Sequence, residues 1–216
     1  MRRLLWGLTI TGAALAAQEA RAHPHVWVTT QSELVFKNGV LAAVRHEWTF
    51  DEYFSAYAAQ GLDANGDGVL SREELEPLAK VNVESLSDFE FFTFLKVGEY
   101  PAAFQEPQDY WLEEKGDQLV LHFTLPIEKP MLVGDRRTSL EIYDPTFFVD
   151  FTLAETESVV MAGAPDGCRL DIERASGFAP GIAARLAELP VDMRDIPDDL
   201  FEMTSGNANR ALVTCN

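Results

Sequence analysis

Residues 26–50, VWVTTQSELVFKNGVLAAVRHEWTF, decide the architecture. The first run, 26–36, is rich in Val, Trp and Thr and alternates apolar with polar side chains. The second, 40–50, does so again, and Lys37-Asn38-Gly39 joins them. An Asn-Gly step between two such runs is a strong hairpin signal, because a tight hairpin turn needs the left-handed backbone that these two residues tolerate. The reading is a β-hairpin of 26–36 and 40–50. With a two-residue turn, Lys37 pairs with Val40, Trp27 faces Phe50, His25 faces Glu52 and His46 faces Gln31.

Beyond residue 50 the pattern changes. Tyr53, Phe54, Tyr57 and Ala58 fall at helical spacing, a Gly/Asp-rich stretch follows, and residues 71–86 read as a second helix interrupted near Pro77. The aromatic run 89–94 is a strand or a buried turn. Residues 108–125 read as another hairpin around Lys115-Gly116-Asp117. Strands follow at 139–143 and 147–153, on either side of Asp144-Pro145, and short ones at 159–161 and 169–172. Helices near 180–188 and 198–203 precede a last strand at 211–214. The expected fold class is α+β: one antiparallel β-rich domain over 23–216, with a helical insertion at about 51–95.

That insertion contains Asp63-Ala64-Asn65-Gly66-Asp67-Gly68-Val69-Leu70-Ser71-Arg72-Glu73-Glu74. This is the twelve-residue EF-hand loop pattern with every constrained position filled. Asp63, Asn65 and Asp67 stand at positions 1, 3 and 5 with side-chain oxygens. Gly68 permits the sharp turn, Val69 offers its carbonyl, and Ser71 binds directly or through water. Glu74 at position 12 can use both oxygens. Hard oxygen donors in this number suit Ca²⁺. The competing reading is an acidic solvated turn. A single loop is expected to bind weakly, with Kd of about 10⁻⁴–10⁻³ M.

The first 22 residues are expected to be a signal peptide cleaved after Ala22: Arg2 and Arg3, an apolar run over 4–17, then Ala20-Arg21-Ala22. The run is shorter than the roughly 20 residues of a spanning helix, and no later segment reaches that length. The expected location is the periplasm. The formal charge is −18. Cleavage removes Arg2, Arg3, Arg21 and Glu19 and leaves 14 basic against 34 acidic residues, a net −20. Such a surface disfavours nucleic acid as a partner. Cys168 and Cys215 are the only cysteines. In an exported chain an even pair is expected to form a disulfide, and a two-thiolate metal site is the rival reading.

After that cleavage the chain starts His23-Pro24-His25. The α-amine and the His23 ring can chelate one ion, and Pro24 lacks the N–H that an amide-bound nickel or copper site would use. Nitrogen ligands of this kind suit Ni²⁺, Co²⁺, Zn²⁺ or Cu²⁺. The register places Glu52 beside His25, so His23, His25 and Glu52 form the candidate transition-metal set. His46 and His122 are read as ordinary strand histidines. No nucleophile elbow, HExxH or phosphate loop occurs, and the chain is expected not to be an enzyme.

His23-Pro24-His25-Val26-Trp27 behind a leader, the 63–74 loop, and Tyr143-Asp144-Pro145-Thr146-Phe147-Phe148-Val149-Asp150-Phe151 together resemble one bacterial family of unknown function. Its members are often labelled the periplasmic component of an uncharacterised ABC-type transport system, and tend to be encoded near nickel/cobalt-type permeases. The resemblance extends to both cysteines and to the closing Asn209-Arg210-Ala211-Leu212-Val213-Thr214-Cys215. It implies metal handling beside an inner-membrane permease and brings no catalytic residues. At about 194 residues after cleavage, the chain is short for a two-lobed solute-binding protein. Asp144 and Asp150 are possible ligands, against a purely structural turn at 143–151. Two functions remain open: a metal-binding accessory protein for uptake or efflux, and a calcium-stabilised interaction module of the envelope.

Overall fold

The computed structural model describes residues 24–190, 193, 196–204 and 207–215. Strands β1 (Val26–Lys37) and β2 (Val40–Phe50) form the expected hairpin, with Lys37 opposite Val40. Asn38 and Gly39 carry φ of 52° and 80°, the left-handed pair that such a turn demands. The register then departs from a simple count. Phe36 pairs with Leu41 but Val35 with Ala43, so Ala42 is an extra, bulged residue. Val28 rather than Trp27 therefore faces Phe50, and Ser32 rather than Gln31 faces His46. The physical reason lies in β2 itself. Its inward residues are odd-numbered at Leu41 and Ala43 and even-numbered from Val44 through His46, Trp48 and Phe50. One additional residue is what lets both halves bury their apolar side.

Strand β6 (Gln118–Met131) flanks β2, and β5 (Gln108–Lys115) pairs with β6. On the other side of β1 lie β8 (Val149–Leu153) and β9 (Val159–Ala162). Both run parallel to β1, a correction to the antiparallel expectation. The cause is that β8 arrives from the opposite sheet rather than through a hairpin. That second sheet has the order β10-β11-β7-β3-β4, built from β3 (Thr93–Val97), β4 (Tyr100–Pro101), β7 (Thr138–Ile142), β10 (Arg169–Glu173) and β11 (Asn209–Thr214). All its pairings are antiparallel.

The two sheets meet over an aromatic core. Trp48 of β2 packs against Phe123, Phe151 and Phe92, with ring centroids 4.8, 4.9 and 6.4 Å away. Phe92 ends a short turn, Ser87–Phe92, in which Glu90, Phe91 and Phe92 all take left-handed φ of 52°, 54° and 48°. This conformation costs about 1–2 kcal/mol per residue. The burial of Phe91 and Phe92 offsets it.

Two helices occupy the expected insertion, α1 (Glu52–Ala58) and α2 (Arg72–Leu86). Pro77 does not interrupt α2, which runs through it. One lost backbone bond is outweighed by the docking of Leu75, Ala79 and Val83, all buried. Near the C-terminus, α3 (Pro180–Ala187) and α4 (Asp198–Thr204) form a small separate cluster around Leu186, Leu189 and Leu200. Cys168 and Cys215 are joined by a disulfide. It closes the β10–β11 pair one step beyond Arg169 and Thr214.

Candidate functional site

The 63–74 loop lies between α1 and α2, and both helices are fixed to the first sheet. Asp51 caps α1 by accepting from the N–H groups of Tyr53 and Phe54 through Oδ1 (3.0 and 2.9 Å). Its Oδ2 holds the N–H of Trp27 (3.0 Å). Ser55 of α1 accepts the Leu119 N–H at 2.9 Å. At the other end, Arg72 lies 4.8 Å over the Trp111 ring, and Trp111 stacks on His122 with centroids 4.4 Å apart. Leu62 and Leu70 pack against the main core.

Within the loop the side-chain oxygens organise the backbone. Asp63 accepts three N–H groups, from Gly66 (2.8 Å), Asp67 (3.2 Å) and Gly68 (3.0 Å). Asn65 Oδ1 accepts from Asp67 at 2.8 Å, and Asp67 Oδ1 from Val69 at 2.9 Å. These are nested Asx turns. Gly66 and Gly68 supply the left-handed φ, 74° and 80°, that the winding needs. Glu74 folds back onto the start of the loop. Its Oε1 accepts from Ala64 (2.9 Å) and Asn65 (3.3 Å), and its Oε2 from the N–H and hydroxyl of Ser71 (3.0 and 2.8 Å). The Ser71 hydroxyl in turn accepts the Glu74 N–H, which completes a capping box for α2. The Ser71 N–H bond, followed by the Ser71 hydroxyl, holds the Glu74 carboxyl below its ordinary range. Among the described residues, no three His, Cys, Asp or Glu side chains are gathered closely enough to hold an ion.

The histidines fall in three different environments. His23 lies outside the described residues, as does the expected leader. His25 is not set across from Glu52, because the Ala42 bulge shifts the register that would bring them together. Instead its backbone N–H donates to Phe148 O at 2.9 Å and its ring lies tilted against that of Phe148, with centroids 4.8 Å apart. Glu52 is the exposed first residue of α1. His122 sits between Glu113, 3.0 Å from its Nε2, and Glu47, 3.9 Å from its Nδ1.

His46 is buried at the junction of the sheets. Its Nδ1 lies 2.9 Å from Ser32 Oγ and its Nε2 3.2 Å from Thr93 Oγ1. The Thr93 hydroxyl donates its one proton to Phe91 O (2.8 Å), so it accepts from His46. The ring is therefore neutral with the proton on Nε2, and Ser32 donates to Nδ1. Burial pushes the His46 pKa down to about 3.

The 143–151 segment is a structured turn that also forms one wall of a cleft. Asp144, buried, accepts from the N–H and hydroxyl of Thr146 (2.7 and 2.8 Å) and from Val149 N–H (3.0 Å). Its oxygens are thus committed to the turn. Asp150 pairs with Trp27 across β8 and β1 and faces a cleft of about 1130 Å³. The opposite walls come from residues 174–178, α3 and residues 207–209. Sequence reasoning did not find this cleft, because its walls come from four separated stretches.

The fold and these features define an α+β architecture of two packed sheets with a helical arm. The sequence narrows it further. A family model described as a protein of unknown function, DUF1007, matches residues 8–215. The chain belongs to the DUF1007 family. An uncharacterised protein of Haemophilus influenzae is 25% identical over 172 residues, which cover 77% of each chain. Among the described residues, no helix is long and apolar enough to cross a membrane.

Proposed function

We propose that the 63–74 loop is an EF-hand Ca²⁺ site in an exported metal-handling accessory protein. The carrying observation is the triple acceptance by Asp63 together with the fold-back of Glu74 onto Ala64 and Asn65. The winding sets the Glu74 carboxylate, at position 12, against the backbone of positions 2 and 3. Asp63 Oδ1 accepts two backbone N–H groups, whereas Asp63 Oδ2, Asn65 Oδ1 and Asp67 Oδ1 each accept one and keep a lone pair for an ion. Asp63, Asn65, Asp67, Ser71 and Glu74 would hold Ca²⁺ with the Val69 carbonyl. The bound ion would supply the charge that draws them in.

Calorimetric titration of chelator-treated protein tests this reading. Asp63→Ala and Glu74→Ala are each expected to abolish a Ca²⁺ isotherm with Kd of about 10⁻⁴–10⁻³ M. No heat from the unaltered protein at millimolar Ca²⁺ rejects the site.

The reading extends to a transition metal, Ni²⁺, Co²⁺, Zn²⁺ or Cu²⁺, at the His23 end, with delivery to or from an inner-membrane metal permease. Support comes from the two imidazoles beside the expected cleavage point. Glu52 carries less weight in this set, given the position of His25 beside Phe148. Metal content measured on the processed protein from a periplasm decides it: stoichiometric transition metal supports the accessory role, and Ca alone removes it. One observation favours the interaction-module reading. Tyr53 and Tyr57, one turn apart on α1, are 88% and 74% exposed, more than packing alone would leave.

A further inference from the structure

The cleft behind the 143–151 turn carries an unusual charge arrangement. Three carboxylates line it, and the side chains of two of them, Asp150 and Glu188, have no hydrogen bond or ion pair among the described residues. The cleft also contains a cation, Arg174, but its guanidinium is spent elsewhere. It donates to the carbonyls of Leu153 (2.7 Å), Ala154 (2.6 Å) and Glu155 (3.3 Å). These contacts tie the guanidinium to the chain after β8. The third acid, Asp144, is saturated by its own turn. Carbonyl contacts leave the Arg174 charge in place, so the lining carries three carboxylates against one guanidinium and is net negative.

The rest of the lining is aromatic and small. Phe147 and Phe178 meet edge to face at 5.3 Å, and Tyr143 lies tilted against Phe94 at 4.5 Å. Ala183, Ala184 and Ala187 of α3 leave room opposite them. Aromatic faces attract weakly hydrated cations, and a nearby carboxylate adds charge and direction. Among the described residues, no group of three His, Cys, Asp or Glu side chains is gathered here. A cavity of about 1130 Å³ is also far larger than one ion requires.

We propose that this cleft binds a small organic cation, an ammonium or guanidinium on an apolar body, with Asp150 as its principal anionic partner and Phe147 and Phe178 against its body. Partial burial holds the Asp150 carboxyl above its ordinary range, as expected of an acid whose counter-charge arrives with a ligand. Glu188 at the end of α3 provides the second charge. This site is independent of the calcium loop.

The test is calorimetric titration of the folded, disulfide-linked protein with phenethylammonium, agmatine and choline, and with phenethyl alcohol as the neutral counterpart of the first. At least one cation is expected to bind with Kd near or below about 10⁻³ M, and the alcohol about tenfold more weakly than its ammonium analogue. Asp150→Asn is expected to weaken the cation about tenfold. Phe178→Ala is expected to weaken it several-fold, and Asp63→Ala to leave it unchanged. Circular dichroism checks that each variant folds. Should Asp150→Asn not fold, Glu188→Gln on the exposed helix end serves in its place, with a weakening of about threefold or more expected. The proposal is overturned if no cation binds at about 10 mM, if the alcohol binds as well as the ammonium, or if the carboxylate variant that folds binds like the unaltered protein.

Discussion

His46 sits where the two sheets meet, enclosed by Trp48 and Phe123 and bonded to Ser32 and Thr93. Among the described residues no charged partner faces it, so protonation would place a bare cation in the core. With its folded pKa pushed down to about 3 against 6.5 unfolded, the unfolded chain binds the proton first as pH falls. Stability is therefore independent of this residue above about pH 7. It declines below 6.5, and the loss is complete near pH 3. Between pH 7.5 and 5, above most carboxylate titration, His46 is expected to remove about 2 kcal/mol. Urea midpoints at the two pH values, compared with those of His46→Gln, measure this. The variant is less stable at pH 7.5 but shows a flatter dependence. An equal slope in both proteins would show that the proton goes elsewhere. The partners of His46 come from three strands, and nothing in a single sequence names Ser32 and Thr93 as neighbours. The loop oxygens of 63–74 lie within twelve residues, and their pattern was readable for that reason.

At the level of elements, the hairpin was legible and its register was not. The Asn38-Gly39 turn is local chemistry, whereas the bulge answers a burial pattern that both flanking strands share. One signal was available: the apolar alternation of β2 changes parity across Leu41-Ala42-Ala43-Val44. A count that omits that slip sets His25 opposite Glu52. The parallel placement of β8 and β9 was also hidden, since it depends on how the chain passes between sheets. Two contacts make these elements testable. Gly163, at the end of β9 with φ of 66°, lies so close to β1 that an added Cβ would stand 2.8 Å from the Phe36 carbonyl oxygen. Gly163→Ala is expected to destabilise by about 1–3 kcal/mol through backbone strain and that clash. A urea midpoint unchanged from the unaltered protein would show that β9 moves aside freely. The disulfide closes a 47-residue separation that contains α3 and α4. Replacing both cysteines by Ser is expected to cost about 4 kcal/mol in the chain-entropy model. If the cost is under about 1 kcal/mol, the β10–β11 pairing holds that span without the bond.

For the whole molecule, the electrostatic question is whether calcium acts at one place or everywhere. A chain of net charge −18 repels itself, and any divalent cation relieves some of that repulsion. A wound loop bridging α1 and α2 makes a sharper demand. An ion that binds only the folded state stabilises by RT ln(1 + [L]/Kd), about 1.4–2.7 kcal/mol at ten to a hundred times Kd. In a domain of this size that raises Tm by about 3–10 °C. Mg²⁺, which prefers rigid octahedral sites, should do much less. Glu74→Gln is the decisive variant. Gln at that position can still complete the capping box with Ser71, so α2 keeps its start, but the charged bidentate ligand is gone. The NH2 of that Gln cannot accept from Ala64 and Asn65, so the expected outcome is a lower Tm in chelator together with loss of the calcium-specific rise. Diffuse screening predicts the opposite pattern: equal shifts with Mg²⁺ and Ca²⁺ in both proteins, because removing one charge among 35 acidic residues changes the overall field little. Scanning calorimetry in chelator, Mg²⁺ and Ca²⁺ at matched ionic strength separates the two, and a Glu74→Gln protein that still gains the full calcium shift places the ion outside the loop.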